Sequence, residues 1–144
     1  MGKEKMSETL LIVIWTLSLV ATAGSLFYSE VMGYIPCELC WVQRIFMYPL
    51  VVIYGVAAYK RNVAMALPGL FLSGIGMCIS IWHYLLQKWP ALQSTGEACG
   101  PIPCNTEYIN YFGFVTIPFL AGVAFIIICI LHVMLWRKTR RNHV

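Results

Sequence analysis

Four apolar runs occupy most of the chain, and each is long enough to be a membrane span. About 20 helical residues cross roughly 30 Å of hydrocarbon. The runs extend from about Leu10 to Tyr28, Trp41 to Tyr59, Val63 to Leu86 and Tyr111 to Trp136. The second contains Gln43, Arg44 and Pro49, but Pro and an end-placed Arg are both tolerated in spanning helices. The expected fold is therefore all-α: a polytopic membrane four-helix bundle, both termini cytoplasmic, forming a single membrane domain over residues 1–144. Its outer loops are expected at about 29–40 and 87–110. Composition agrees, with 60% apolar and 11% charged residues and a mean hydropathy of +0.74. A soluble domain of this size needs a polar shell that this chain cannot supply.

The orientation comes from charge. Lys and Arg near span ends are retained in the cytoplasm, and eight of the ten fall on one side of a four-span arrangement: Lys3, Lys5, Lys60, Arg61, Arg137, Lys138, Arg140 and Arg141. Arg44 and Lys88 lie at the outer ends of spans two and three, where Tyr28, Tyr34, Trp41, Trp89, Tyr108 and Tyr111 mark the boundary. A cleavable secretory signal ending near Ala21-Thr22-Ala23 is the rival reading of the start. Apolar character that continues to Tyr28 favours a retained span. There is no nucleic-acid motif and no concentrated basic patch, so the net charge of +4 speaks to topology rather than to a nucleic-acid partner.

The six cysteines divide by position. Cys37 and Cys40 form Cys-Glu-Leu-Cys in the first outer loop, and Cys99 and Cys104 form Cys-Gly-Pro-Ile-Pro-Cys in the second. Cys78 and Cys129 fall inside spans three and four, where small thiols pack readily. The outer four face an oxidising compartment. Cys37 and Cys40 stand at the start of span two, where a helix N-terminus stabilises a thiolate. Structural staples gain little from closing loops this short, which favours reactive disulfides in both pairs. Inert staples and a four-thiolate zinc site remain open alternatives. Zinc requires all four sulfurs reduced, and no metal is expected. Haem attachment is excluded, because Trp41 rather than His follows Cys40.

A reactive dithiol at the membrane boundary must pass on two electrons. No dinucleotide-binding glycine motif or iron–sulfur spacing is present, and His occurs only three times. A quinone dissolved in the lipid needs none of these. It needs an apolar slot and a donor for the oxygen that becomes negative on reduction. Arg44 lies four residues after Cys40, one turn along the same helical face, and is the candidate cation, with a headgroup-directed anchor as the alternative. His83, near the outer end of span three, is a second candidate for the quinone site or for proton movement.

The segment Cys37-Glu-Leu-Cys40-Trp-Val-Gln-Arg44 between spans one and two, followed by a cysteine pair between spans three and four, resembles the DsbB family of disulfide-bond-formation proteins. The likeness covers essentially the whole chain and is closest to the BdbC branch of Gram-positive bacteria. The second pair departs from the best-known members, since Cys99 and Cys104 enclose only four residues. The resemblance implies a quinone-dependent protein thiol oxidase, multi-pass in the bacterial cell membrane, that supports disulfide formation in exported proteins. A reduced extracytoplasmic thioredoxin-like oxidase of the DsbA/BdbD type would give electrons to Cys99 and Cys104, these would pass to Cys37 and Cys40, and menaquinone or ubiquinone would remove them. A donor near roughly −120 mV needs a still more oxidising acceptor, as a quinone is. On this reading Cys40 addresses the quinone and Cys37 is the more exposed member that exchanges with the second loop. Two other functions stay open: a vitamin K epoxide reductase-like enzyme, whose Cys-x-x-Cys comes late in the chain whereas this one is early, and a non-enzymatic assembly subunit with stapled loops.

Overall fold

The computed structural model describes residues 2–97 and 100–142, apart from the side chains of Lys3 and Asn142; Cys99 lies outside the described residues. Four long helices carry the fold: α1 (Gly2–Leu26), α2 (Glu38–Tyr59), α3 (Ala66–Lys88) and α5 (Ile117–Asn142), with a short α4 (Gln93–Glu97) in the second loop. Each long element has a stretch apolar enough to cross a membrane: Glu4–Val31, Glu38–Tyr59, Val63–Lys88 and Ile117–Arg141. Among the described residues there is no strand, only an isolated bridge between Tyr111 and Val115.

The helix ends follow local chemistry. Helix α1 runs into a π turn over Phe27–Val31, a wide turn that disturbs the regular spacing of side chains at the outer end. Pro36 precedes Cys37, which takes the extended N-cap position of α2 (φ −73°, ψ 174°) and accepts from the Trp41 amide at 3.1 Å. At the other end of α2, Arg61 adopts φ +52° and the Asn62 side chain accepts from the Ala64 amide at 3.0 Å, turning the chain into α3. Glu8 pairs with Arg61 at 3.3 Å. The start of α1 and the α2–α3 turn therefore lie at the same end of the bundle.

Packing depends on a line of small and polar residues along α3. Gly69, Ser73, Gly76, Ser80, His83 and Gln87 are all buried on that helix, at the spacing of one helical face. The Phe125 ring of α5 lies directly on the Gly76 backbone, where a Cβ would collide with it. In lipid the bilayer is as apolar as Leu, so close backbone approach and hydrogen bonds hold helices together. Ser73 contributes one such bond, its Oγ lying 2.9 Å from His132 Nδ1. Leu11, Ile14, Leu50, Tyr54, Phe125, Ile128 and Leu135 form the dry core, whereas Val20, Ile45, Val52 and Phe71 are more than half exposed, as lipid-facing residues would be.

The last long helix begins at Ile117, later than the apolar run from Tyr111. Phe112 (φ +55°) and Gly113 (φ +82°) are both left-handed, and Tyr111 N–H bonds the Val115 carbonyl at 3.0 Å. This tight turn keeps Tyr111–Val115 out of the helix. Apolar character alone does not register that turn, because Phe112 is as apolar in a turn as in a span.

Candidate active site

The first cysteine pair is set by the start of α2. With Cys37 as N-cap, Cys40 sits in the first helical turn, and the two Sγ atoms are 3.0 Å apart. The expected order of exposure is reversed. Cys37 is buried, 6% exposed, and Cys40 is the half-buried member. The cause is packing: Cys37 is enclosed with Leu86 of α3 and Cys104 of the second loop, so the cysteine that meets the second loop is the one that loop covers. Its thiol pKa is pushed up to about 12, first by its hydrogen bond to Cys40 and then by burial, with His83 pulling the other way. The raised pKa favours Cys37 as the protonated member when the pair is reduced.

The second loop is pinned against this site at several points. Cys104 N–H bonds the Gly96 carbonyl at 2.9 Å, Gln87 Nε2 donates to the Thr106 carbonyl at 3.0 Å, and Lys88 pairs with Glu107 at 2.7 Å. Gly100 has φ +84°, and its missing side chain leaves room for the Glu38 carboxylate, so the residue after Cys99 rests on the residue after Cys37. Cys104 is fully buried.

His83 stands between the pairs. Its Nε2 is 3.0 Å from the Cys104 carbonyl and 3.6 Å from Cys37 Sγ, while Nδ1 is 3.1 Å from Gln43 Nε2. The donor atoms of Cys37, His83 and Cys104 all lie within 4.8 Å of one another. That is close enough to pass a proton or, with both sulfurs deprotonated, to grip a soft cation.

Arg44 takes a different direction. Its Nε donates to Ser25 Oγ at 3.0 Å and its Nη2 to the Ser25 carbonyl at 3.2 Å, and the guanidinium lies 5.1 Å from the centre of the Trp41 ring. Tyr48 also reaches Ser25 Oγ, at 3.4 Å. Arg44, Ser25 and Tyr48 line a cavity of about 460 Å³ together with Cys40, Gln43 and His83, its remaining wall largely apolar side chains of α1 and α5. Near its outer edge Tyr34 stacks on Tyr108 (4.9 Å, 9°) and on Tyr28 (6.2 Å, 10°), and all three line the same cavity. The volume is in the range of small-molecule sites, and a mostly apolar wall with a few convergent polar groups is their usual make-up.

Of the six site residues read from the sequence, Cys37, Cys40, Cys104, Arg44 and His83 therefore converge; Cys99 is outside the described residues. Two partners were missed: Ser25, which holds Arg44, and Tyr48, which reaches Ser25. Gln43, a less specific candidate than Arg44 or His83 in the sequence, lies against His83. Each is a polar residue within an apolar run, a signal that was available, but the pairings cross between helices and have no local spacing.

Comparisons with known proteins place the chain in a family. Residues 7–135 match the family model described as "Disulfide bond formation protein DsbB". The chain is 59% identical over 139 residues to a "Probable disulfide formation protein" of Oceanobacillus iheyensis, covering 96% of each chain. It is 49% identical over 116 residues to "Disulfide bond formation protein C" of Bacillus subtilis, covering 81% of this chain and 84% of the relative. A prophage-derived "disulfide bond formation protein B" of the same organism is 37% identical over 123 residues, covering 84% and 81%. No solved structure matches. A match spanning nearly all of the four-helix frame, with relatives of this identity and coverage, makes this chain a member of the DsbB family of disulfide bond formation proteins.

Proposed function

We propose that this protein is a quinone-dependent thiol oxidase of the bacterial cell membrane, both termini inside, that reoxidises an extracytoplasmic thioredoxin-like oxidase. The observation that carries the reading is the position of the first pair between the second loop and the cavity. Cys37 touches the second loop's cysteine region, and Cys37 and Cys40 both line the apolar cavity that Arg44 and His83 also line. One pair can thus receive electrons on one side and release them on the other. Family membership supports disulfide formation as the task, and the O. iheyensis and B. subtilis relatives carry that description.

Electrons would enter at Cys99 and Cys104, reach Cys37 and Cys40 by thiol–disulfide exchange, and leave as that dithiol returns to a disulfide. The residues present fit a quinone: an apolar cavity of suitable volume and a guanidinium on its wall. A menaquinone or ubiquinone, when bound, supplies the two-electron acceptor. Arg44 would orient an acceptor oxygen and stabilise charge developing there, with Ser25 and Trp41 fixing the guanidinium. Cys40 would face the acceptor, and Cys37, retaining its proton, would supply hydrogen to the transfer. Basic residues at the end of the bundle shared by Glu8 and Arg61 support the orientation.

The test is direct. Purified protein in lipid discs with menaquinone or ubiquinone analogues should oxidise a reduced thioredoxin-fold dithiol protein catalytically, with loss of quinone absorbance in equal molar amount. Thiol oxidation without quinone reduction, or none with either quinone, would overturn the reading.

A further inference from the structure

We propose that the Ser25 hydroxyl donates a hydrogen bond to an oxygen of the quinone, beside the Arg44 guanidinium; this rests on the quinone-dependent reading above. A serine hydroxyl has one hydrogen to donate and two lone pairs with which to accept. On Ser25 both lone pairs are engaged, by Arg44 Nε at 3.0 Å and by the Tyr48 hydroxyl at 3.4 Å. The hydrogen is what remains. Elsewhere on α1, Thr9, Thr16 and Ser18 turn theirs back onto the carbonyl four residues earlier, at 2.8–2.9 Å, a common outlet for a hydroxyl on a helix. Among the described residues Ser25 makes no such bond. Its side chain and carbonyl are given to Arg44 instead, and it lines the cavity.

Acid strength assigns the roles within the hydroxyl pair. A phenol is a stronger acid than an alcohol, so Tyr48 gives its hydrogen to Ser25 and Ser25 passes its own onward. Accepting two hydrogen bonds, one of them from a cation, polarises Oγ and makes it a better donor. Arg44 thereby acts twice, as a charge on the cavity wall and as the positioning residue for Ser25. Around them the wall is apolar, with Leu17, Val20 and Ala21 from α1 and Leu120 and Ala124 from α5. A carbonyl oxygen entering this space leaves its water behind and must find donors here. It has two lone pairs, one for the guanidinium and one for the hydroxyl. A lipid without such an oxygen would gain nothing from Ser25, so the pair selects for a carbonyl-bearing ring.

The experiment measures binding rather than turnover. Full-length protein with oxidised cysteines, in lipid discs, is titrated with short-chain ubiquinone and menaquinone analogues. Binding is read as saturable quenching of tryptophan fluorescence, since Trp41 lies 5.1 Å from the Arg44 guanidinium. Infrared difference spectra of analogues labelled with carbon-13 at the carbonyls report hydrogen bonding to the bound oxygen. Ser25→Ala should weaken binding about two- to twelvefold, the worth of one neutral hydrogen bond, and move a carbonyl band to higher frequency. Ser25→Thr, which keeps a hydroxyl, should restore both. Because Ser25 also holds Arg44, the loss is measured again in an Arg44→Met background, where it should persist at the same order. A loss that disappears there would reduce Ser25 to a support for Arg44 and overturn the inference, as would an unshifted band in Ser25→Ala. A band that moves in Tyr48→Phe but not in Ser25→Ala would give the donor role to the phenol and overturn it too. Each of these leaves quinone binding itself intact. Absence of saturable quenching in the wild type with either quinone would overturn the quinone reading and this inference together.

Discussion

Replacing Arg44 by Met separates a quinone ligand from a lipid-facing anchor. A guanidinium carries five N–H donors, and Ser25 engages Nε and Nη2, which leaves others free to serve an oxygen in the cavity. A hydrogen bond to a charged group contributes about 1.5–3 kcal/mol, and about 1.4 kcal/mol is a factor of ten. Apparent quinone affinity should therefore fall roughly tenfold to more than a hundredfold. The substitution also cuts the α1–α2 link through Ser25, so Ser25→Ala is the matching control: it removes a hydroxyl partner but keeps the charge, and its effect should be several-fold smaller. Lysine at position 44 should restore only part of the loss, because a point charge cannot hold Ser25 and an oxygen in one planar fork. The assay is steady-state oxidation of a reduced dithiol protein against quinone concentration, beside single-turnover thiol exchange without quinone, which should change little. An unaltered quinone dependence in Arg44→Met would refute the reasoning and leave Arg44 an anchor.

Three further outcomes are expected. In reduced protein between pH 7 and 9, an impermeant alkylating reagent added from outside should modify Cys40 well before Cys37, which is buried and whose thiol pKa is pushed up to about 12 by its hydrogen bond to Cys40 and by burial; Cys78 and Cys129 should stay unlabelled, and labelling of the outer cysteines only after membrane rupture would reverse the topology. Cys104→Ser should accumulate a mixed disulfide with a thioredoxin-fold partner if Cys99 is the entry thiol, whereas adducts seen only with Cys99→Ser would exchange those roles. Gly76→Leu should lower stability by about 1–3 kcal/mol through overpacking against Phe125, read as a fall in melting temperature in lipid discs; an unchanged melting temperature would mean that α3 and α5 separate freely there.

The helical frame was legible because span length and hydropathy are properties of contiguous residues. The Cys-x-x-Cys-x-x-x-Arg spacing was legible for the same reason, since one helix start places those groups by itself. What escaped were relations between helices. Ser25 looks like an ordinary small residue until Arg44 is seen to bond its hydroxyl and carbonyl. Gln43 drew less notice than Arg44 beside it, yet it faces the opposite neighbour, His83. The order of exposure in the first pair failed because a residue in a loop reads as open, and only the folded second loop shows Cys37 covered. The start of α5 shifted because two left-handed residues, Phe112 and Gly113, make a turn that hydropathy does not sense.

The three stacked tyrosines give the two ends of the molecule's chemistry a common currency. Tyr28 belongs to the end of the first helical element, Tyr34 to the first loop and Tyr108 to the second. An aromatic pair contributes about 0.5–1.5 kcal/mol beyond area burial, so two such contacts set a ceiling of about 1–3 kcal/mol. A ligand in the cavity and a protein docking on the second loop that both bind the closed stack better than an open one would each raise the other's affinity by the same factor. The ceiling corresponds to roughly fivefold to more than a hundredfold. Such a coupling would act through the stack alone and would need no movement of the four helices.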